Sequence, residues 1–542
     1  MFASSFRPIA GALLGLCAFS VVRCNTPPVE STGGADSGAG DSGASPPTSG
    51  DAGPSGQVID DGGSGADTSI ALDANSTDAS STVLGDASVG DGGSGGVTFS
   101  ANPNNVLSVI ATVVLPGYAS ARVVSSNANE TLTTPSVTLD ANGNGRIPVL
   151  GLAPSTAYSH VVEMTTAAGA TATTDAVALT TPALPSTLAD VVVNITPITA
   201  SPESGYFYVT GASPVDFAFD STGTIRYYYQ NGGSELVESK MQYDGTYTSY
   251  IGNSTGSEAV PGTYVRFTPD GTQIASYSVA TPEVVDGGGS LSVYTDPHEL
   301  WITSDATGAE HLHFFGYEEL PLDADASTVA WHQLVRQSPS GDVEFRWKSS
   351  SRFTVADRLE TDLPYDLDHA NSIAIDPIDG NYVVSLRCLD AIVKLDYDTG
   401  AVLWQLGGVQ GQFTILNDPL GGFYGQHSVR VLANGNILLY DNGVGHSPPE
   451  SRAAEYALDT TAMTATLVWE YRRTPIIETE FVGSVERQST GNTLVAFAYA
   501  GVVDEADTTG NAVWEATILT GTTARIGYRV RRLPSLYTYV VP

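Results

Sequence analysis

Between residues 366 and 443 apolar and polar positions alternate with period two in short runs, broken by glycine-bearing corners. The stretch D-L-D-H-A-N-S-I-A-I-D-P-I-D-G-N-Y-V-V-S-L-R-C reads as strand, corner, strand, and G-Q-H-S-V-R-V-L-A-N-G-N-I-L-L-Y-D-N-G repeats that design. Alternation puts successive side chains on opposite faces of a strand, and Asp-Gly or Asn-Gly corners accept the positive φ of a tight hairpin. Each unit opens on a histidine, His369 or His427. A wider repeat runs from 186 to the last residue, 542. Acceptor-rich corners leading into an aromatic strand begin at 220, 268, 338, 396, 458 and 507. Each ends in Tyr or Trp, suited to capping one sheet against the next. Short strands recurring at this period predict a β-propeller, and six corners predict six blades.

Upstream the pattern changes. Residues 98–182 hold short alternating strands, read at 106–115, 121–125, 136–139, 160–166 and 176–181, which predict a β-sandwich. Within them, Leu152-Ala-Pro-Ser-Thr-Ala-Tyr158 resembles the fibronectin type III corner, in which the tyrosine hydroxyl pins a loop to the sandwich. His160 is read as a surface strand residue. Residues 25–97 are Gly, Ser, Ala, Asp, Thr and Pro with 11 acidic residues, no Lys or Arg and no aromatic ring. No core forms from that composition, so a solvated tether is expected. Residues 1–24 carry one early Arg and a short apolar run, an export signal. Val21-Val22-Arg23-Cys24 resembles a bacterial lipoprotein cleavage box with Cys24 as the lipidated residue, although Arg23 stands where a small residue belongs. Plain secretion is the alternative. An exported protein, periplasmic or displayed from the outer membrane, is the expectation.

The net charge of −36 excludes nucleic acid as a partner. The cations are 20 Arg and three Lys, Lys240, Lys348 and Lys394, a bias that suits oxyanion binding but also a GC-rich genome. Of three cysteines, Cys17 and Cys24 lie in the export segment, so Cys388 has no partner and no disulfide is expected in the folded part.

His298, His369 and His427 each stand before or at the start of the predicted innermost strand of a blade, whose leading end faces the central channel. Three successive blades then deliver three imidazoles to one funnel, and Arg387 closes a strand that reaches the same mouth. Imidazole is a competent nucleophile, and three rings with a guanidinium suit a tetrahedral oxyanion such as sulfate or phosphate. No metal and no cofactor is called for. His311 and His313 share one strand face but lack a third ligand, and His332 is read as packing or hydrogen-bonding between blades.

The motifs His369-Ala-Asn371-Ser, Ser385-Leu-Arg387, Leu403-Trp-Gln-Leu-Gly-Gly408, Gly425-Gln-His427 and Asp441-Asn-Gly443 with Ser451-Arg-Ala453 follow one another in this order. Over 186–542 the chain resembles bacterial arylsulfate sulfotransferases, which also carry an N-terminal β-sandwich. The resemblance implies that His427 is the nucleophile and forms a sulfohistidine. It implies that His369 and Arg387 grip the sulfuryl oxygens and that His298 contacts the group or moves protons. Transfer from an aryl sulfate donor to a phenolic acceptor would be ping-pong, without a nucleotide donor. Asn371 is read as a further oxygen donor or an imidazole brace, and His446 as lining the acceptor pocket. The chain departs from many members in lacking a cysteine pair near the site. A surface-displayed binding propeller and a sulfatase-like hydrolase are the competing readings. The oligomeric state, a homodimer included, is left open.

Overall fold

The structure is a computed structural model that describes residues 87–89 and 96–538, apart from 212–213, 232–234, 253–261, 281–282, 286–288, 322–327, 360–365 and 525–526. The export segment, Cys24 and most of the tether lie outside the described residues. What is described is almost entirely β.

Two sheets form the N-terminal sandwich, and Val97, Phe99, Val113, Val123, Ile147, Tyr158 and Val162 fill its core. The first sheet includes Ala87–Val89, paired antiparallel with Gly96–Ala101, so the sandwich starts before residue 98. The alternation of V-T-F, with Val97 and Phe99 inward, already belongs to the fold. The Tyr158 hydroxyl accepts the Ala153 N–H at 3.0 Å and bonds to the Glu130 carboxylate. His160 is buried, not at the surface. In the strand Ala157–Thr165 every second residue points inward, and His160 shares that face with Tyr158 and Val162. Its Nδ1 lies 2.8 Å from Ser125 Oγ.

From 191 to 533 the described strands build six larger sheets, antiparallel except for the edge strand Thr414–Leu416 of the fifth, which runs parallel to its neighbour. The second to sixth begin with Glu235–Met241, Tyr294–Ser304, Ala370–Ile375, His427–Val431 and Ser484–Arg487 and step outward. The first has the C-terminal strand Arg529–Leu533 inside, against Tyr206–Thr210. These inner strands contact one another in sequence, and the last returns to Arg529–Leu533, a propeller-like arrangement. Every one of the six corners read from the sequence is the turn into the outermost strand of its own sheet or, in the fifth and sixth, into the last strand before an added edge strand. The aromatic residues after the corners pack between sheets. Trp514 stacks on Phe207 of the first sheet at 4.4 Å, and Trp347 packs in one cluster with Tyr382 and Val393 of the fourth. Truncation of such a ring costs about 3–5 kcal/mol. His311 and His313 lie on the second strand of the third sheet, not an outer one. His313 is enclosed between Thr303 Oγ1 and Tyr382 OH, both at 2.8 Å.

The axis is not apolar. Glu238 and Lys240 of the second sheet, Glu299 of the third, Arg430 of the fifth, and Arg529 and Arg531 of the first converge there. Arg529 lies 2.7 Å from Glu299 and 3.4 Å from Glu238, and Arg531 lies 2.8 Å from Glu238. Arg529 also donates to the Asn371 carbonyl of the fourth sheet at 2.6 Å. Ser484 of the sixth sheet bonds the backbone of Val530. Burial pushes the Lys240 amine down to about 7, although Glu238 and Glu299 oppose the shift.

Breaking a buried ion pair leaves its partner charge uncompensated, at a cost of about 3–5 kcal/mol. Arg529→Met, which keeps the stem, should therefore lower the unfolding free energy by about that amount, read as a lower urea midpoint at unchanged slope. An unchanged midpoint would show that these charges do not hold the sheets together.

Candidate active site

Three imidazoles meet where the inner strands of the third, fourth and fifth sheets come together. The His298 and His369 ring centroids are 4.6 Å apart, and those of His369 and His427 are 6.2 Å apart. All three side chains are buried. His369, immediately before Ala370–Ile375, and Ser428, immediately after His427, adopt left-handed backbone with φ of 46° and 53°. Such conformations cost about 1–3 kcal/mol each at a non-glycine residue and persist where neighbours enforce them. Here Asp366 accepts the His369 N–H at 3.0 Å, and Ser372 Oγ accepts the Val429 N–H at 3.0 Å.

Each ring has one nitrogen committed. His427 Nδ1 is 2.7 Å from Asn442 Oδ1 and 3.1 Å from the Gly425 carbonyl. The Asn442 amide donates to the carbonyls of Thr479 and Val482, at 2.7 and 3.0 Å, which turns its oxygen toward the ring. Two acceptors at Nδ1 require the proton there, so Nε2 carries the lone pair. His369 Nδ1 meets Asp366 Oδ2 at 2.7 Å, and His298 Nδ1 meets Asp296 Oδ1 at 2.8 Å.

Arg387 is the first residue after Tyr382–Leu386, and its N–H donates to the His369 carbonyl at 3.0 Å. Its guanidinium is fully buried, stands 4.8 Å from the centre of the Phe481 ring and donates to the Glu480 carbonyl. Gly425, two residues before His427, has a φ of 62°, and a Cβ there would stand 3.1 Å from Val444 Cγ2 and 3.8 Å from the guanidinium. Burial, then Arg387 and His369, hold the His427 ring well below its ordinary value. Burial also lowers His369, with Asp366 opposing and His298 and Arg387 assisting.

The other two residues singled out from the sequence, Asn371 and His446, have bonded partners of their own. Asn371 Nδ2 donates to the Gln426 carbonyl at 2.7 Å, which braces the chain just before His427. His446 Nε2 lies 2.9 Å from Asp441 Oδ2, with its ring edge-on to Tyr424. Asp441 also accepts the Arg452 Nε–H at 3.0 Å, so His446 and Arg452 share one carboxylate. Cys388 is a buried thiol outside any disulfide. Sequence reasoning missed Asp296, Asp366 and Asn442. The signal was present, because an acid stands two or three residues before His298 and His369 in D-P-H and D-L-D-H. His332, Asp366 and Asp368 offer donor atoms within 4.8 Å of one another. Both His332 nitrogens are bonded to carboxylates, Asp368 at 2.6 Å and Asp296 at 3.1 Å, so the group is closed on itself as an ion network.

The lowered His427 ring has a stability consequence. The unfolded ring takes a proton below about 6.5 and the folded ring does not, so protons favour the unfolded chain. Stability from this group is present above the unfolded value and is lost as pH falls. Wild type should therefore lose ground to His427→Gln in urea midpoint as pH is lowered below 6.5. A gap that stays constant would mean that the folded ring is protonated.

Comparison with known proteins covers part of this frame. No curated protein matches the chain. Among solved structures, a Bacteroides caccae protein of unknown function is 13% identical, with a TM-score of 0.37, over 60% of this chain and 98% of its own. A virginiamycin B lyase from Staphylococcus aureus is 10% identical, with a TM-score of 0.29, over 60% and 88%. A gluconolactonase from Xanthomonas campestris is 11% identical, with a TM-score of 0.29, over 62% and 94%. At that level of likeness none of their activities transfers to this chain. Residues 346–529 match the family model Arylsulfotransferase (ASST), a stretch that contains His369, Asn371, Arg387, His427, Asn442 and His446 but not His298. Through residues 346–529 the chain is arylsulfotransferase (ASST)-like.

Proposed function

We propose that the protein is an aryl-sulfate sulfotransferase that moves a sulfuryl group from an aryl sulfate to a phenol through His427, on a six-bladed propeller. The observation that carries this is the state of His427. Its Nδ1 proton is held by Asn442 at 2.7 Å, its Nε2 is left with a lone pair, and burial beside Arg387 keeps the ring neutral. A neutral imidazole attacks; an imidazolium cannot.

In the first half-reaction His427 Nε2 forms a bond to sulfur and the sulfur–aryl-oxygen bond breaks. The electron pair leaves with the phenolate. Arg387 meets the charge on the sulfuryl oxygens, where a preorganised donor in a dry site is most effective. His298 and His369 hold Nδ1 protons on Asp296 and Asp366, so their Nε2 atoms can take or return a proton. In the second half-reaction an acceptor phenol gives its proton to one of these rings and attacks sulfur, and the nitrogen–sulfur bond breaks. Phe481, beside Arg387, offers an aromatic wall for either phenol. The composition of 1–97 supports an exported protein held at the cell surface by a lipid on Cys24, with the acidic segment as spacer.

The full chain would be incubated with 4-nitrophenyl sulfate, with and without phenol, beside His427→Ala. Acceptor-dependent nitrophenol release, reduced on the order of 10³-fold or more in the variant, is the expected result. Release that ignores the acceptor would replace transfer by hydrolysis. Release that survives in His427→Ala would remove the nucleophile assignment.

A further inference from the structure

His332 lies outside the stretch that matches the family model and outside the three-ring cluster, yet it is the point where both aspartate-held rings are tied together. It sits on the strand Thr328–Gln337 of the third sheet and is 1% exposed. Its Nδ1 is 2.6 Å from Asp368 Oδ1 and its Nε2 is 3.1 Å from Asp296 Oδ2. Its backbone N–H also points to the Asp368 carboxylate, at 3.2–3.3 Å. The other oxygen of Asp296 is the one that holds His298. Asp368 is the residue before His369, in a loop also fastened by the Leu367 N–H on the Ala330 carbonyl at 3.1 Å.

We propose that His332 is a positioning residue, a buried imidazolium bonded through both nitrogens to Asp296 and Asp368, which sets the registry of His298 and His369 on neighbouring sheets. Its functional consequence rests on the sulfuryl-transfer reading above; its charge state does not. An ionised carboxylate only accepts hydrogen bonds, so a ring between two of them must donate from both nitrogens. The groups facing the ring support that state. Asp296 comes from the strand Tyr294–Ser304, Asp366 (3.7 Å from Nδ1) and Asp368 from the loop before the fourth sheet, and the Tyr317 ring, 6.2 Å away, from the strand Glu310–Pro321. Two further imidazoles stand nearby, the His369 ring 6.3 Å away and the His298 ring on the other oxygen of Asp296. Burial works against the charge, but the carboxylates of Asp368, Asp366 and Asp296 outweigh it and hold the ring well above its ordinary value. Asp296 in turn is held well below the usual carboxylate range, with the His298 and His332 rings overcoming its burial.

The arrangement explains how two carboxylates can stand beside the site without fixing its rings in the protonated form. The fixed positive charge of His332 offsets their field. Without it, Asp296 and Asp368 would be uncompensated, and protonated rings would be favoured over the neutral ones that accept a phenol proton.

Two measurements test this. Imidazole ¹⁵N spectra of the histidine-labelled full chain, with the His332 signals assigned by their loss in His332→Gln, should show both ring nitrogens protonated from pH 6 to 9. A neutral His332 ring overturns the proposal whether or not the protein transfers sulfuryl groups. In the 4-nitrophenyl sulfate assay, His332→Gln and Asp368→Asn should lower kcat by about tenfold to a hundredfold and leave the donor KM little changed. The acid limb of the kcat/KM profile should move up by about one pH unit or more in His332→Gln, which removes the cation and keeps the carboxylates, and should not move up in Asp368→Asn, which removes one of them. A folded His332→Gln with the wild-type pH profile would reduce His332 to a packing residue. If wild type shows no transfer, the spectra alone decide: a doubly protonated ring upholds the positioning cation while the sulfotransferase reading falls.

Discussion

The buried guanidinium of Arg529 is the constraint on which the rest of the structure depends. It joins the end of the chain to its middle, bonding Glu299, which lies 230 residues earlier, and the Asn371 carbonyl, which lies 158 residues earlier. Six sheets around an axis need something at the axis. Apolar side chains could fill it, but charges that pair only in one registry also specify which strand stands beside which. The same Asn371 spans two roles. Its carbonyl takes the Arg529 proton and its amide holds the Gln426 carbonyl, so the charge network that fixes the sheets also fixes the backbone carrying His427.

Above that network the three rings differ in what holds them. His427 is held by an amide oxygen, His298 and His369 by carboxylates. An amide fixes the tautomer without adding charge, which leaves a ring that burial and Arg387 can keep neutral. A carboxylate stabilises the protonated ring as well, which suits groups that pick up and return a proton. On the proposed reading, a nucleophile and two acid–base groups are built from the same side chain within a few ångströms.

Much of the fold was legible because its signals are local. A corner such as Asp220-Ser-Thr-Gly223 closes on its own backbone, with the Gly223 N–H on the Asp220 carbonyl at 2.9 Å, and needs nothing distant to be read. His369 and His427, at strand starts, were legible for the same reason; His298 was expected there too but is the fifth residue of Tyr294–Ser304, where the pairing register breaks between Thr295 and Leu300. The charges at the axis were not. Glu238, Lys240, Glu299 and Arg529 carry no local signal of burial, and only pairing between sheets makes them interior. His160 failed in the other direction. A polar residue invited a surface reading, although its place in the alternation with Tyr158 and Val162 put it inside. The three-aspartate set around His332 needed both effects, a local acid–histidine spacing and a contact between sheets.

The first and last strands of the ring lie side by side, with Tyr206–Thr210 against Arg529–Leu533 and Val191–Pro197 against Ala512–Thr520. A chain made from its amino end therefore lacks the strand that completes its first sheet until residues 529–533 have been made. Asn371, already in place, would wait for Arg529, and the segment before His427 would wait with it. Closure of the ring and bracing of the segment before His427 thus become a single event, so a chain that stops between His446 and Arg529 would carry the histidines without the contact that steadies them.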